Sequence, residues 1–250
     1  MDAAQIRRPL PIRRGLTTWI AALAILAFVV SLRGFAIGRL SLGGHVLGAG
    51  FCFYIIAICC HDTIHYAAHP NRRVNEIVGW VTTWLVGGPL WVYKRAHLAH
   101  HARSDQPDDP ERWGYAHGRW LPFCWLTGNL SYYAILREAP RREWIASALV
   151  LGSYVALGVA WPRELLLGWL LPMQIAAASF AFATVYLPHG PWRELALRHI
   201  PLVTGYHHAH HARPAHPWHQ YHSLSRSLYG TSGAATAASP TGQTSGAGQG

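Results

Sequence analysis

Charge is what this sequence has least of. Only 13% of its 250 residues are Asp, Glu, Lys or Arg, about half the share usual in soluble domains. Hydrophobic residues make up 51%. That balance excludes an ordinary soluble surface and points to a membrane. Acidic side chains are scarcest, 11 against 21 Lys and Arg, which leaves a net charge of +10. The arginines flank apolar runs instead of forming one basic face, as headgroups and topology rules select, so no nucleic-acid partner is expected. Cysteine is sparse too. Cys52, Cys59, Cys60 and Cys124 lie in or beside apolar runs with no C-x-x-C spacing, which excludes a zinc or disulfide framework and leaves buried small hydrophobes. The length suits one sizeable domain.

What is present begins with apolar runs. Arg7, Arg8, Arg13 and Arg14 precede the run Leu16 to Leu32, close to the ~20 residues that cross a bilayer. A signal peptide has a similar lead, but no small-residue cleavage site stands out. The run reads as a first transmembrane helix with its N-terminus inside. A short loop through Arg33 and Arg39 leads to Leu40–Cys60, completing a hairpin that returns at His61. Residues Ile77 to Val92 are apolar but broken by Gly87, Gly88 and Pro89, which predicts a kinked or re-entrant helix. The aromatic-rich stretch Trp113 to Ile135 predicts an interfacial segment. A second hairpin, Trp144–Ala160 and Leu165–Tyr186, turns at Trp161-Pro162-Arg163 and delivers Leu187-Pro188-His189 to the side of His61.

The expected architecture is therefore an all-α integral membrane protein: four transmembrane helices in two hairpins, plus interfacial or re-entrant helices. Arg72, Arg73, Lys94, Arg95, Arg137, Arg141 and Arg142 fall on segments placed inside, against Arg33, Arg39 and Arg163 outside, so both termini are expected in the cytoplasm. Residues 1–229 form the domain. The tail 230–250, rich in Gly, Ala, Ser and Thr, is expected to be disordered.

Histidine is the residue in excess, with 17. His61 and His65 form one cluster, His97, His100 and His101 a second, and His207, His208, His210 and His211 a third. Positions three and four apart share a helix face, so each cluster can converge on a point. Neutral imidazole suits iron, copper, nickel and zinc, and eight such groups can saturate two ions. The topology brings the clusters into one plane on the cytoplasmic side, and His189 makes a ninth candidate. Lone histidines more often cap helices or sit at interfaces, the reading taken for His69, His117, His199, His216, His219 and His222. A histidine-rich tract such as His207 to His211 can also bind metal adventitiously. His45 is placed at the outer face, away from any site. His61-Asp-Thr-Ile-His65 superficially matches the H-E-x-x-H of zinc proteases, but Asp62 is too short for the Glu base. A cation transporter would carry ionisable groups inside its spans, and these spans are nearly free of them.

Taken together, H-D-x-x-H, H-x-x-H-H and a second H-x-x-H-H, separated by paired spans, resemble the membrane fatty acid desaturase superfamily. Arg72, Arg73 and Asn75 after the first box, and Asp105 and Asp108-Asp109-Pro110 after the second, extend the resemblance. Tyr206 to Trp218 and Leu187-Pro188-His189 are similar to bacterial carotenoid ketolases, although His219 stands where those have a second aromatic, and Tyr66 where small residues are common. The likeness covers roughly Leu40 to Leu224. It implies two non-haem iron ions held by His61, His65, His97, His100, His101, His207, His210 and His211, with His189 the ninth. It also implies O2 as co-substrate and C–H oxidation of a lipid-like substrate: acyl desaturation first, carotenoid ketolation or hydroxylation second. A non-catalytic metal-handling protein is the third reading. Asp62, Asp105, Asp108 and Asp109 are cast as orienting partners for imidazoles, with solvated loop carboxylates the alternative for Asp108 and Asp109. With no haem, flavin or iron–sulfur signature, the electrons must come from a separate ferredoxin or cytochrome, docked on Arg72, Arg73, Lys94 and Arg95. The expected location is a bacterial inner membrane.

Overall fold

The computed structural model describes residues 15–116, 118–189 and 207–229. Among them every regular element is helical, as expected. Helix α1 (Leu16–Ala36) and helix α2 (Leu42–Ile64) form the first hairpin. Ser41 caps α2 by accepting the Gly44 N–H, satisfying one of the four donors a helix start leaves open. After α3 (Arg72–Leu85), α4 (Leu90–Arg103) and α5 (Leu121–Ser131) comes the second hairpin, α6 (Arg141–Ala160) and α7 (Glu164–His189), turning at Trp161-Pro162-Arg163. Two short helices close the described chain, α8 (His207–Ala212) and α9 (Tyr221–Tyr229).

Helices α1, α2, α6 and α7, of 21, 23, 20 and 26 residues, are long and apolar enough to cross a bilayer. Between 22% and 39% of their most apolar windows is buried inside the protein. Leu23, Leu26, Val29 and Val30 on α1, and Leu149, Leu151, Val155 and Val159 on α6, face outward. Apolar side chains that face outward over this length require lipid as their solvent. The chain is an integral membrane protein.

The stretch Ile77 to Val92 is not one kinked helix. Gly87 takes a left-handed φ of +97°, which ends α3, and Pro89 then starts α4 with its fixed extended-to-helical geometry. Both helices have 14 residues and lie too short to span. The aromatic stretch contains α5, flanked by 3-10 turns, with Trp120 and Phe123 exposed. Arg7, Arg8, Arg13 and Arg14, His117, His199 and the tail 230–250 lie outside the described residues.

The hairpins meet at an aromatic core. The Phe28 ring lies 4.6 Å from Phe53 and 5.4 Å from Trp169, and Trp169 donates to the Leu85 carbonyl at 3.0 Å. His45, expected away from any site, joins neither histidine group and is fully buried among α1, α2 and α7. Its Nε2–H donates to the Gly168 carbonyl and its Nδ1 accepts from Ser31, both at 2.8 Å. The reason is local chemistry. Pro172 has no N–H to give Gly168, four residues earlier, and α7 widens into a π turn over Glu164–Leu170. A histidine side chain supplies a donor to that carbonyl, and so pins the two hairpins together.

Candidate metal centre

Four helices deliver the histidines to one end of the bundle: the C-terminal ends of α2, α4 and α7, and α8. All nine expected ligands converge, in two groups. The first is His61, His65, His97, His101 and His210; the second is His100, His189, His207 and His211. Within each group the ligand atoms lie within 4.8 Å of one another. Helix α4 serves both. His97 and His101 are one turn apart and face the first group, while His100 is rotated toward the second. Helix α8 splits likewise, with His210 in the first and His207 and His211 in the second.

The outward nitrogens are held by polar partners. His97 Nδ1–H donates to Glu111 Oε1 at 2.8 Å, and Tyr132 donates to the same oxygen at 3.1 Å. His100 Nδ1–H donates to both oxygens of Asp109 at 2.9 Å, and Tyr115 and the Glu111 N–H donate to that carboxylate too. His189 Nδ1–H donates to Asp105 at 2.8 Å, His210 Nδ1 pairs with the Tyr221 hydroxyl at 2.7 Å, and Ser104 lies 3.4 Å from His211 Nδ1. A carboxylate only accepts, so the ring proton of His97, His100 and His189 sits on Nδ1 and the lone pair on Nε2. These are the orienting contacts that metal-bound imidazoles require.

Those Nε2 atoms crowd together. His101 Nε2 lies 3.1 Å from His97 Nε2 and 3.0 Å from His210 Nε2, and His207 Nε2 lies 2.8 Å from both His189 Nε2 and His211 Nε2. One N–H cannot satisfy two such contacts, so lone pairs face one another inside each group. A cation in each removes the conflict, and a pair of divalent metal ions fits the donor set. Burial keeps the rings in the ligating form. It depresses His65, His97, His210 and His211 well below the ordinary histidine pKa, helped by neighbouring histidines, and brings His101 down to about 4. His100 moves the other way: burial opposes its protonation, but Glu111 and Asp109 outweigh it and raise its pKa.

Not every acid plays the expected part. Asp62 is fully buried, yet it touches no imidazole. It accepts from the Thr17 hydroxyl at 2.8 Å and from the Trp218 N–H at 3.1 Å, tying α1 and the C-terminal segment to α2. Asp108 is exposed and pairs with Arg103, the solvated-loop alternative. Glu111, Tyr221 and Ser104 are partners the sequence reading did not name. Glu111 carried a faint signal, since it stands two residues beyond Asp109 in the same acidic turn. His69 accepts the Asn71 N–H. Neither it nor His216, His219 or His222 joins either group.

Beside the metal groups lies a cavity of about 150 Å³ between α2 and α7. Phe53, Met173 and Ala176 line its apolar part, and His61, His97, His207 and His210 its polar end. On the outer side Tyr66, next in sequence to His65, is exposed with a left-handed φ of +57°. Lys94 Nζ sits 3.5 Å over its ring and Arg72 4.8 Å from it. Arg95 faces elsewhere, forming a two-pronged pair with buried Glu143 at 2.9 and 2.7 Å.

Apolar spans, paired histidine groups with acid-backed imidazoles and an adjoining greasy cavity define a membrane protein whose clustered histidines fit a metal site. The chain belongs to the fatty acid desaturase family, whose model matches residues 40–238. It is similar to a beta-carotene ketolase from a Paracoccus species, 30% identical over 192 residues that cover 71% of this chain and 73% of that one. A delta 8-(E)-sphingolipid desaturase from Kluyveromyces lactis is 31% identical over 86 residues, 34% of this chain and 14% of the desaturase. No solved structure matches the chain. Family and relatives make it an oxidoreductase of the desaturase and oxygenase type.

Proposed function

We propose that the chain is an O2-dependent di-iron enzyme of a bacterial inner membrane that oxidises ring carbons of a carotenoid-like substrate, with acyl-chain desaturation as the second reading. The observation that carries this is the pair of histidine groups opening on an apolar cavity between two spans. The ring substrate takes precedence over the acyl chain because the similarity to the ketolase spans most of both chains, while that to the sphingolipid desaturase covers a fragment. Leu187-Pro188-His189 and Pro217-Trp218 favour it as well.

The nine histidines would hold two irons, five donors at one and four at the other. Bound iron supplies O2 activation and hydrogen abstraction from an unactivated carbon. The protein's own part is to fix the ligand tautomers through Glu111, Asp109 and Asp105, to keep the imidazoles neutral by burial, and to present an apolar substrate to them out of water. Each hydroxylation consumes one C–H, one O2, two electrons and two protons, and yields C–OH and water. A second round at the same carbon gives a diol that loses water to a ketone. A separate ferredoxin or cytochrome supplies the electrons. Tyr66, Arg72 and Lys94 offer it a basic surface one residue from His65, whereas Arg95 is committed to Glu143. The arginine distribution supports a metal end that faces the cytoplasm.

Expression in a carotenoid-producing host tests the reading. Keto- or hydroxycarotenoids that disappear in His97→Ala are expected. An altered fatty-acid profile with unchanged pigment would establish the second reading. A purified protein that holds zinc or nickel and consumes no O2 would refute both.

A further inference from the structure

Buried indoles in this protein find acceptors. Trp84 donates to Ser153 at 2.9 Å, Trp125 to the Gly114 carbonyl at 2.9 Å and Trp169 to the Leu85 carbonyl at 3.0 Å. Trp113 and Trp218 are different. Each has its Nε1 buried with no acceptor among the described residues, and both side chains line the cavity. Trp113 follows two residues after Glu111, which holds His97. The backbone of Trp218 is fixed by Asp62, next in sequence to His61. Both line the cavity together with His61, His97, His207 and His210.

A buried N–H left without a partner is costly, and native proteins rarely keep one without a reason. Two in one cavity wall, where Trp84, Trp125 and Trp169 among the described residues all have acceptors, call for a ligand that brings an acceptor. Water can serve as that acceptor while the cavity is empty, and an oxygen on a bound substrate would take its place. We propose that Trp113 and Trp218 receive an oxygen atom carried on the end of the substrate that reaches the metal centre. This rests on the ring-substrate reading and names its recognition chemistry: a ring hydroxyl or carbonyl. The oxygen has two possible sources. It is present on the substrate before binding, or it is installed in the first oxidation, in which case the indoles retain the alcohol for the second round.

Purified iron-loaded protein in lipid nanodiscs distinguishes these. The dissociation constants of β-carotene and of zeaxanthin, its ring-hydroxylated counterpart, are measured without reductant. The fraction of product released as the half-oxidised alcohol is then measured with reductant and O2. If the oxygen is already present, the wild-type protein binds zeaxanthin roughly tenfold tighter, the worth of about one well-made hydrogen bond. Trp113→Phe and Trp218→Phe, which keep the ring and lose the N–H, then shrink that ratio toward one. If the oxygen is installed, the two affinities match, but both variants release several-fold more alcohol than wild type. Equal affinities in the wild type together with unchanged alcohol release in both variants overturn the inference, as does failure of either carotenoid to bind. A zeaxanthin preference without any oxygenated product would leave the inference standing and refute the proposed activity.

Discussion

Replacing Glu111 with Gln removes the charge behind His97 and near His100. In the native protein Glu111 Oε1 takes two hydrogen bonds, from His97 Nδ1–H at 2.8 Å and Tyr132 at 3.1 Å, and the carboxylate is buried. A glutamine oxygen can accept both bonds, so shape and tautomer survive while the negative charge is lost. Carboxylates that back a metal-bound imidazole are worth 10–100-fold in metal affinity, or about 1.4–2.8 kcal/mol. Glu111→Gln should therefore weaken iron binding by about that factor. Glu111→Ala also leaves His97 Nδ1–H buried without a partner, adding about 1–3 kcal/mol, and should fail to load iron fully. Tyr132→Phe removes one of the two bonds and keeps the charge, so its affinity should stay within a few-fold of wild type. The assay is iron retained per chain against a graded Fe(II) chelator, with thermal unfolding of the metal-free proteins as the control for folding. Wild-type iron affinity in Glu111→Gln would refute the reasoning, because no other carboxylate contacts His97 Nδ1.

Three further outcomes follow from the same contacts. His97→Ala and His210→Ala should lose iron and activity, whereas His45→Ala should keep iron but unfold more readily, by about 2–4 kcal/mol for two lost hydrogen bonds and the space left behind; two irons per chain in His97→Ala would sink the ligand assignment. Acidification should destabilise the metal-free protein. His65, His97, His101, His210 and His211 have depressed pKa values in the folded chain, so below about 6.5 the unfolded chain binds more protons and stability falls with pH. The loss runs from about 6.5 to about 4 for His101 and lower for the others, with His100 opposing it, and urea midpoints that stay flat between pH 7 and 4 would contradict this. Arg72→Glu with Lys94→Glu should slow reduction by an acidic donor and remove its salt dependence. Arg95→Glu should instead lower stability, since it places a second carboxylate against buried Glu143, and donor kinetics that respond to Arg95 more than to Lys94 would misplace the docking surface.

What was legible in the sequence, and what was not, divides by the kind of partner each residue has. The spans were legible because lipid imposes a length and an apolar surface on every residue of a run. That the nine histidines come together was legible because i, i+3 and i+4 spacing groups eight of them within three clusters, and because His189 ends the last span. Their division into five and four was not, since it depends on how α4 and α8 are rotated against α2 and α7. Asp62 shows where pattern reading fails for a reason the helix itself supplies. His61 and His65 share a face, and the residue after His61 is turned about 100° away from it. The carboxylate in H-D-x-x-H therefore points off the metal face, and its partners are Thr17 and a backbone N–H 156 positions away. Asp109 pairs with His100 because the loop that carries it folds straight back on α4, whereas Asp105 reaches His189 on α7, 84 positions on. The burial of His45 was not legible, because its acceptor is the carbonyl of Gly168, 123 residues on, freed by a proline whose effect is visible only once the hairpins are packed. Hydropathy and motif spacing report what a residue needs from solvent or from its own helix. They carry no information on which distant backbone atom will meet that need, and in this fold the polar groups that fasten one hairpin to the other are of that kind.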